Sequence, residues 1–213
     1  MSRLFLPTLD RRALLLGGAA LAVAGCSDII GPPEASQFYK LEPVLPGASG
    51  GPRVGWSLAV MQPDANDALD GNRIAISRSS QTLDYFADAV WPDRLTQLVQ
   101  TSLVDAFEKS GRIDQVSPDT AGLHASVMLQ TQIVNFEARY DQPDAAPTAV
   151  VKIEAKLVTN RNREIVAHLT ASQEAQANAN SIPAAVDALD RAFAAVLGQI
   201  VGWALSTPVR RED

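Results

Sequence analysis

From Ala149 to Val158 apolar and charged side chains alternate without a break. Val151, Ile153, Ala155 and Leu157 share one side, and Lys152, Glu154 and Lys156 the other. Successive side chains of a strand point to opposite faces, so this stretch is predicted as a strand buried on one face. A second strand, Glu164 to Gln173, follows after only Thr159-Asn160-Arg161-Asn162-Arg163, a link short enough to favour an antiparallel meander. Beyond it, Pro183 to Leu205 reads as a helix, with Ser181 near its capping position. Val186, Leu189, Phe193, Val196, Leu197, Ile200, Val201 and Ala204 form a wide apolar stripe along it. That stripe must be buried, most simply against the sheet, which commits the chain to packing helix on strands.

The preceding part extends the same theme. Gln37–Leu41 is predicted as a short strand, and Pro43–Pro52 as a loop by its prolines and glycines. Val54, Trp56, Leu58 and Val60 alternate as a half-buried strand, and Gln62–Asn72 carries turn residues ending in Asp70-Gly71. Arg73–Ser77 and Thr82–Phe86 read as a β-hairpin. A helix then begins near Pro92, buries Leu95, Leu98, Val99, Ser102, Leu103, Ala106 and Phe107 on one face, and ends at Gly111. Leu123–Arg139 is strand-like, with Leu123, Ala125, Val127, Leu129 and Ile133 on one side. The predicted fold class is α+β: a two-layer sandwich of a mixed or mainly antiparallel sheet with two main helices on one face.

The N-terminus is organised differently. Arg3, Arg11 and Arg12 supply positive charge, Ala13–Val23 is an uncharged apolar run, and the small residues Ala24 and Gly25 precede Cys26. Such a run is shorter than the ~20 residues a spanning helix needs and fits the apolar region of an export signal. Val23-Ala24-Gly25-Cys26 resembles the bacterial lipoprotein box. The resemblance implies cleavage between Gly25 and Cys26, diacylglycerol on the Cys26 sulfur and an acylated new N-terminus. Asp10-Arg11-Arg12-Ala13-Leu14-Leu15 also resembles a twin-arginine export signal, and the alternative is that Arg11 and Arg12 merely provide charge. Ser27 after the cysteine, by resemblance to lipoprotein sorting, favours the outer membrane, while Asp28 keeps the inner membrane open. The expected organisation is a removed signal peptide (1–25), a lipidated tether (26–36), one α+β domain (37–206) and a tail (207–213).

Charge and composition narrow the function. The 213 residues carry 18 Lys+Arg and 24 Asp+Glu, a net charge of −6. Removing 1–25 leaves 15 basic and 23 acidic residues, or −8. An acidic chain lacks the clustered cations that phosphate backbones require, so nucleic acid is not an expected partner. The single cysteine excludes a disulfide framework or a cysteine metal cluster, and two histidines, His124 and His168, both in predicted strands, are read as ordinary residues. Gly47-Ala48-Ser49-Gly50-Gly51 matches G-x-S-x-G formally, but it sits between Pro46 and Pro52 and leads into a strand, where a nucleophile elbow needs a strand-to-helix turn. Asp64-Ala65-Asn66 opens like a calcium loop, yet Ala68 and Leu69 stand where a ligand and the turn glycine belong. No catalytic residue, metal or cofactor is expected. Trp56 and Trp91 are assigned to the core, and Trp203, one step off the stripe of the last helix, to packing or to partner contact.

Tyr39-Lys40-Leu41, then Arg73-Ile74-Ala75-Ile76-Ser77-Arg78, then Leu83-Asp84-Tyr85-Phe86-Ala87-Asp88-Ala89-Val90-Trp91 leading into an amphipathic helix, resemble the ABC-type transport auxiliary lipoproteins, the paraquat-inducible-protein-C-like family. Ser77 stands where that family is expected often to carry an aromatic residue. The resemblance covers about residues 37–205. It implies a non-enzymatic accessory that docks on an MCE-domain protein with its ABC permease and ATPase and serves transport of phospholipid or another hydrophobic cargo across the periplasm. A homo-oligomer is compatible with it. The chain has no Gly-rich phosphate loop of its own. Two alternatives stay open: a lipoprotein partner of an outer-membrane β-barrel assembly machine, and a lipid-anchored periplasmic hydrolase.

Overall fold

A computed structural model of the chain describes residues 36–45, 50–79, 81–122 and 124–209. The expected signal peptide and most of the tether lie outside these residues, as do Pro46–Ser49 and Leu123. A 13-residue strand, β7 (Val127–Arg139), is the spine of a nine-stranded sheet. One of its edges pairs along its length with the antiparallel β8 (Thr148–Thr159), which pairs in turn with β9 (Ile165–Gln176). Its other edge is tiled by three short strands in chain order: β2 (Leu58–Val60), β3 (Asp64–Ala65) and β4 (Arg73–Ser79), all parallel to it. Pro63, which has no N–H to donate, and the turn from Asn66 to Gly71 break what would otherwise be one continuous strand.

From β4 the sheet continues through the antiparallel β5 (Thr82–Val90) to β1 (Gln37–Phe38), which is parallel to β5, and from β2 to β6 (Val116–Pro118), which is parallel to β2. The hairpin and the β7–β8–β9 meander are therefore antiparallel as their short links demand. Of the two forms expected, mixed or mainly antiparallel, the sheet takes the mixed one. The reason is the crossover helix α1 (Leu95–Lys109), which returns the chain so that β7 runs in the direction of β2, β3 and β4.

Several boundaries differ from the periodic reading. Only Leu58–Val60 of the 54–60 stretch joins the ladder; Val54 donates its N–H to the Arg112 carbonyl (2.9 Å) and Trp56 is half-buried. β3 lies inside a stretch read as turn, and β6 carries too few residues for a period to show. Ala125 precedes β7 and packs with Ala59, Met128 and Val158 rather than with Val127, Leu129 and Ile133. Pro92 stands in the approach to α1, whose N-cap is Arg94 with no side-chain cap. Gly111 follows that helix at φ +64°, the left-handed conformation that glycine adopts without strain. Leu98 and Ser102 are only half-buried.

The second helix, α2 (Ile182–Ser206), starts on Ser181, whose hydroxyl accepts from the Ala184 N–H at 3.4 Å. The stripe of α2 and the buried face of α1 belong to one apolar cluster with β2, β7 and β8. At its centre Trp91, Phe136 and Phe193 form an edge-to-face series, with centroids 6.2 and 5.4 Å apart. All three side chains are excluded from solvent. Such pairs contribute roughly 0.5–1.5 kcal/mol beyond the area they bury.

Candidate interaction surface

The described chain begins at Ser36, and residues 36–45 and 50–57 form a strap over the helices. Tyr39 donates its N–H to the Val90 carbonyl at 2.9 Å, and Glu42 donates its N–H to both carboxylate oxygens of Asp190 on α2 at 3.0 and 3.2 Å. Further along, the Arg112 guanidinium donates to the Pro52 carbonyl (3.2 Å) and to the Leu205 carbonyl at the C-terminal end of α2 (3.3 Å). A cation there also complements the partial negative charge of the helix terminus. Gly51, at φ +131°, lies under that guanidinium, so a Cβ would come within 2.9 Å of it. Arg53 closes the strap onto Asp114 at 2.7 Å.

Between the strap and α1 lies a groove of about 800 Å³. Leu41, Pro43, Val44 and Leu45 line it from the strap, Leu98 and Ala106 from α1, and Leu197 from α2. Glu42, Asp93 and Asp105 against Lys109 make its polar rim acidic. Val44 is 84% exposed. Burial raises the Asp190 carboxyl above its ordinary value; the Glu42 N–H opposes that rise, and the nearby Glu42 and Asp187 charges add to it. The half-burial of Leu98 and Ser102 follows from their place on this wall.

The sheet surface away from the helices is polar around Arg139, whereas Ala59, Met128 and Val158 make it apolar at the other end of β7. Arg139 on β7 reaches over β8 and binds Glu174 of β9 through both terminal nitrogens at 2.9 Å, while its Nε holds Asp141 at 3.1 Å. The Arg139 hydrogen bonds hold the Glu174 carboxyl below its usual range. Glu137 is nearly buried beside them, and its oxygens accept from Asn135 Nδ2 (2.9 Å) and the Phe136 N–H (3.0 Å) where the β7–β8 register slips. Burial raises its carboxyl despite those two donors and Arg139. A concavity of about 750 Å³ opens here, with Arg78, Leu83, Val134 and Tyr140 among its walls.

The residues singled out from sequence do not converge. Gly25, Cys26, Arg11 and Arg12 lie outside the described residues, as does most of the Gly47–Gly51 loop. Trp203 packs half-buried against the main cluster. His124 is exposed and precedes β7, so its assignment to a strand is corrected; His168 does lie on a strand, β9, exposed and opposite Lys156. Asn66 nucleates a turn, its carbonyl accepting from the N–H groups of Leu69 and Asp70. Among the described residues no three His, Cys, Asp or Glu side chains are placed to hold a metal ion. Also among them, no helix is long and apolar enough to cross a membrane. Periodicity missed the strap because it forms almost no ladder; the apolar Leu41, Val44 and Leu45 among prolines were its only trace.

A family model described as the ABC-type transport auxiliary lipoprotein component matches residues 39–201, from the strap to the last turns of α2. An uncharacterised protein of Bradyrhizobium diazoefficiens is 28% identical over 148 residues, 69% of this chain. The chain spans about two-fifths (39%) of that curated relative's length. The crystal structure of a Xanthomonas campestris protein superposes with a TM-score of 0.75 at 26% identity, covering 81% of this chain and 96% of that one. A second crystal structure, of an uncharacterised protein, shares the fold at a TM-score of 0.63 and 18% identity, covering 80% of this chain and 99% of that one.

Proposed function

The chain belongs to the ABC-type transport auxiliary lipoprotein family, and from that premise we propose that it is a non-enzymatic, lipid-anchored accessory of an MCE/ABC-type system moving phospholipid across the periplasm. The observation that carries the reading is the order of parts along the chain. The cysteine of the Val23–Cys26 box stands ten residues before Ser36, and the family match begins at residue 39 on the strap. In this reading Cys26 carries the diacylglycerol after cleavage behind Gly25. Each acyl CH₂ contributes about 0.8 kcal/mol of membrane affinity, so the two chains of the diacylglycerol plus the N-terminal acyl chain anchor durably. Ser27 directs the anchor to the outer membrane, and the domain faces the periplasm. Export uses either the general or the twin-arginine route, the latter through Arg11 and Arg12. The domain docks on the MCE protein, whose permease and ATPase partners supply the energy.

A genetic test separates this role from the others. A Cys26→Ser allele should raise sensitivity to detergents and hydrophobic toxicants as much as deletion of the MCE gene does, and the double mutant should be no worse than either single one. Additive defects would place the protein in a different pathway and overturn the reading.

A further inference from the structure

We propose that the groove between the strap and α1 is a phospholipid site, taking an acyl chain along its floor and a phosphoethanolamine headgroup across Asp105 and Lys109. In the transport role above, on which this assignment rests, that lipid is cargo.

Four-residue steps along α1 set out two parallel rows. Gln97, Thr101, Asp105 and Lys109 form the outer row, exposed to solvent. Leu98, Ser102 and Ala106 form the inner row, which lines the groove together with the buried Leu197 of α2. Ser102 and Ala106 are small, so the space between helix and strap stays open, and Leu41 and Val44 close it from the other side. At about 800 Å³ the groove falls within the roughly 300–1,000 Å³ of sites that hold a single small molecule on an apolar lining with a few polar groups.

The rim selects the headgroup. Asp105 and Lys109 are neighbours one turn apart, and among the described residues neither takes part in an ion pair. They present opposite charges side by side, and phosphoethanolamine carries the matching pair, an ammonium one ethylene unit from a phosphate ester. Its phosphate meets Lys109 and its ammonium meets Asp105, each through a charge-assisted hydrogen bond. With Glu42 and Asp93 the rim sets three carboxylates against one ammonium. An anionic phosphoglycerol headgroup would add to that excess, so the same rim disfavours it. A basic protein segment would satisfy the carboxylates but confront Lys109 in the same row.

The site also lies within reach of a bilayer. Ten residues separate Cys26 from Ser36, at most about 35 Å of extended chain, and Leu41 of the groove follows on the strap. A lipid drawn from the membrane that holds the anchor therefore has a short path to the groove.

Photocross-linking of the full lipidated chain in cells tests this. Benzoylphenylalanine replaces Thr101 on the rim or, as control, the exposed Ile165 of β9, and the cells are grown with radioactive phosphate. The diacylglycerol of Cys26 contains no phosphorus, so label on the protein reports captured phospholipid alone. Irradiation should label the Thr101 probe and leave the Ile165 probe at background. Adding Asp105→Asn with Lys109→Gln should lower the label roughly tenfold, the product of two solvent-exposed charge contacts, and leave the thermal transition in place. Mass spectrometry of the adduct should show phosphoglycerol lipid below its share of the same membranes. Equal labelling at Ile165, label that survives the double substitution, phosphoglycerol lipid at or above its membrane share, or cross-linking of Thr101 to a protein instead would overturn the assignment. Any of these with the MCE protein and ABC subunits still co-purifying would leave the transport role standing. A labelled groove without those partners would keep the lipid site and remove the role.

Discussion

Arg139 grips Glu174 with both terminal guanidinium nitrogens at 2.9 Å although β8 runs between their strands. The bond locks the far ends of β7 and β9 on the sheet face opposite the helices. Both side chains are substantially exposed, so solvent limits its worth to about 1 kcal/mol or less. Arg139→Lys keeps the charge, loses the fork and should cost part of that amount. Because the Glu174 carboxyl is held below its ordinary value, its contribution is complete above the unfolded value and disappears as the pH falls through the lowered one. Thermal unfolding of Glu174→Gln and wild type should therefore differ at pH 7 and converge in strong acid.

Glu137 shows the opposite balance. Its burial is unfavourable, yet it accepts two hydrogen bonds that the irregular stretch of β7 would otherwise leave unmade. Glu137→Leu should destabilise by about 1–3 kcal/mol, the cost of stranding the Phe136 N–H and the Asn135 amide. Glu137→Gln keeps an acceptor and should lose clearly less, which denaturant titration of the two variants will show.

Asp190 holds the strap through the Glu42 N–H in a setting that disfavours its charge. With the folded value raised, the native state binds the proton more tightly, so stability from this group rises as the pH falls through that value. Asp190→Asn retains an acceptor without the charge. Its melting temperature should equal or exceed that of wild type at pH 7, with the gap narrowing toward pH 4.

Phe193 joins α2 to the sheet through Phe136, and neither ring has solvent access. Phe193→Ala should cost about 3–5 kcal/mol from lost burial and the cavity left behind. Phe193→Leu should cost less, and a urea titration orders the two.

How much of this was legible in the sequence depended on how many residues each element spends repeating one period. β8 and α2 repeat theirs over 12 and 25 residues, and Val151–Leu157 and Leu189–Ala204 are buried as their spacing demands. β3 and β6 exist because β7 and β2 offer them an edge, and two or three residues hold no period. The parallel pairing was hidden for a related reason: direction is set by where α1 returns the chain, and no residue in β7 records it. Tyr39-Lys40-Leu41 and the 73–91 run marked the family, whereas the strap groove emerges only when Leu41–Leu45 meet Leu98 across some fifty residues of chain.

The central claim concerns partners, and co-purification tests it most directly. The tagged, lipidated protein is recovered from gently solubilised membranes, with Cys26→Ser as control, and its companions are identified by mass spectrometry. The account predicts an MCE-domain protein together with its ABC permease and ATPase, strongly depleted in the Cys26→Ser sample. Recovery of an outer-membrane β-barrel assembly machine in their place would contradict it.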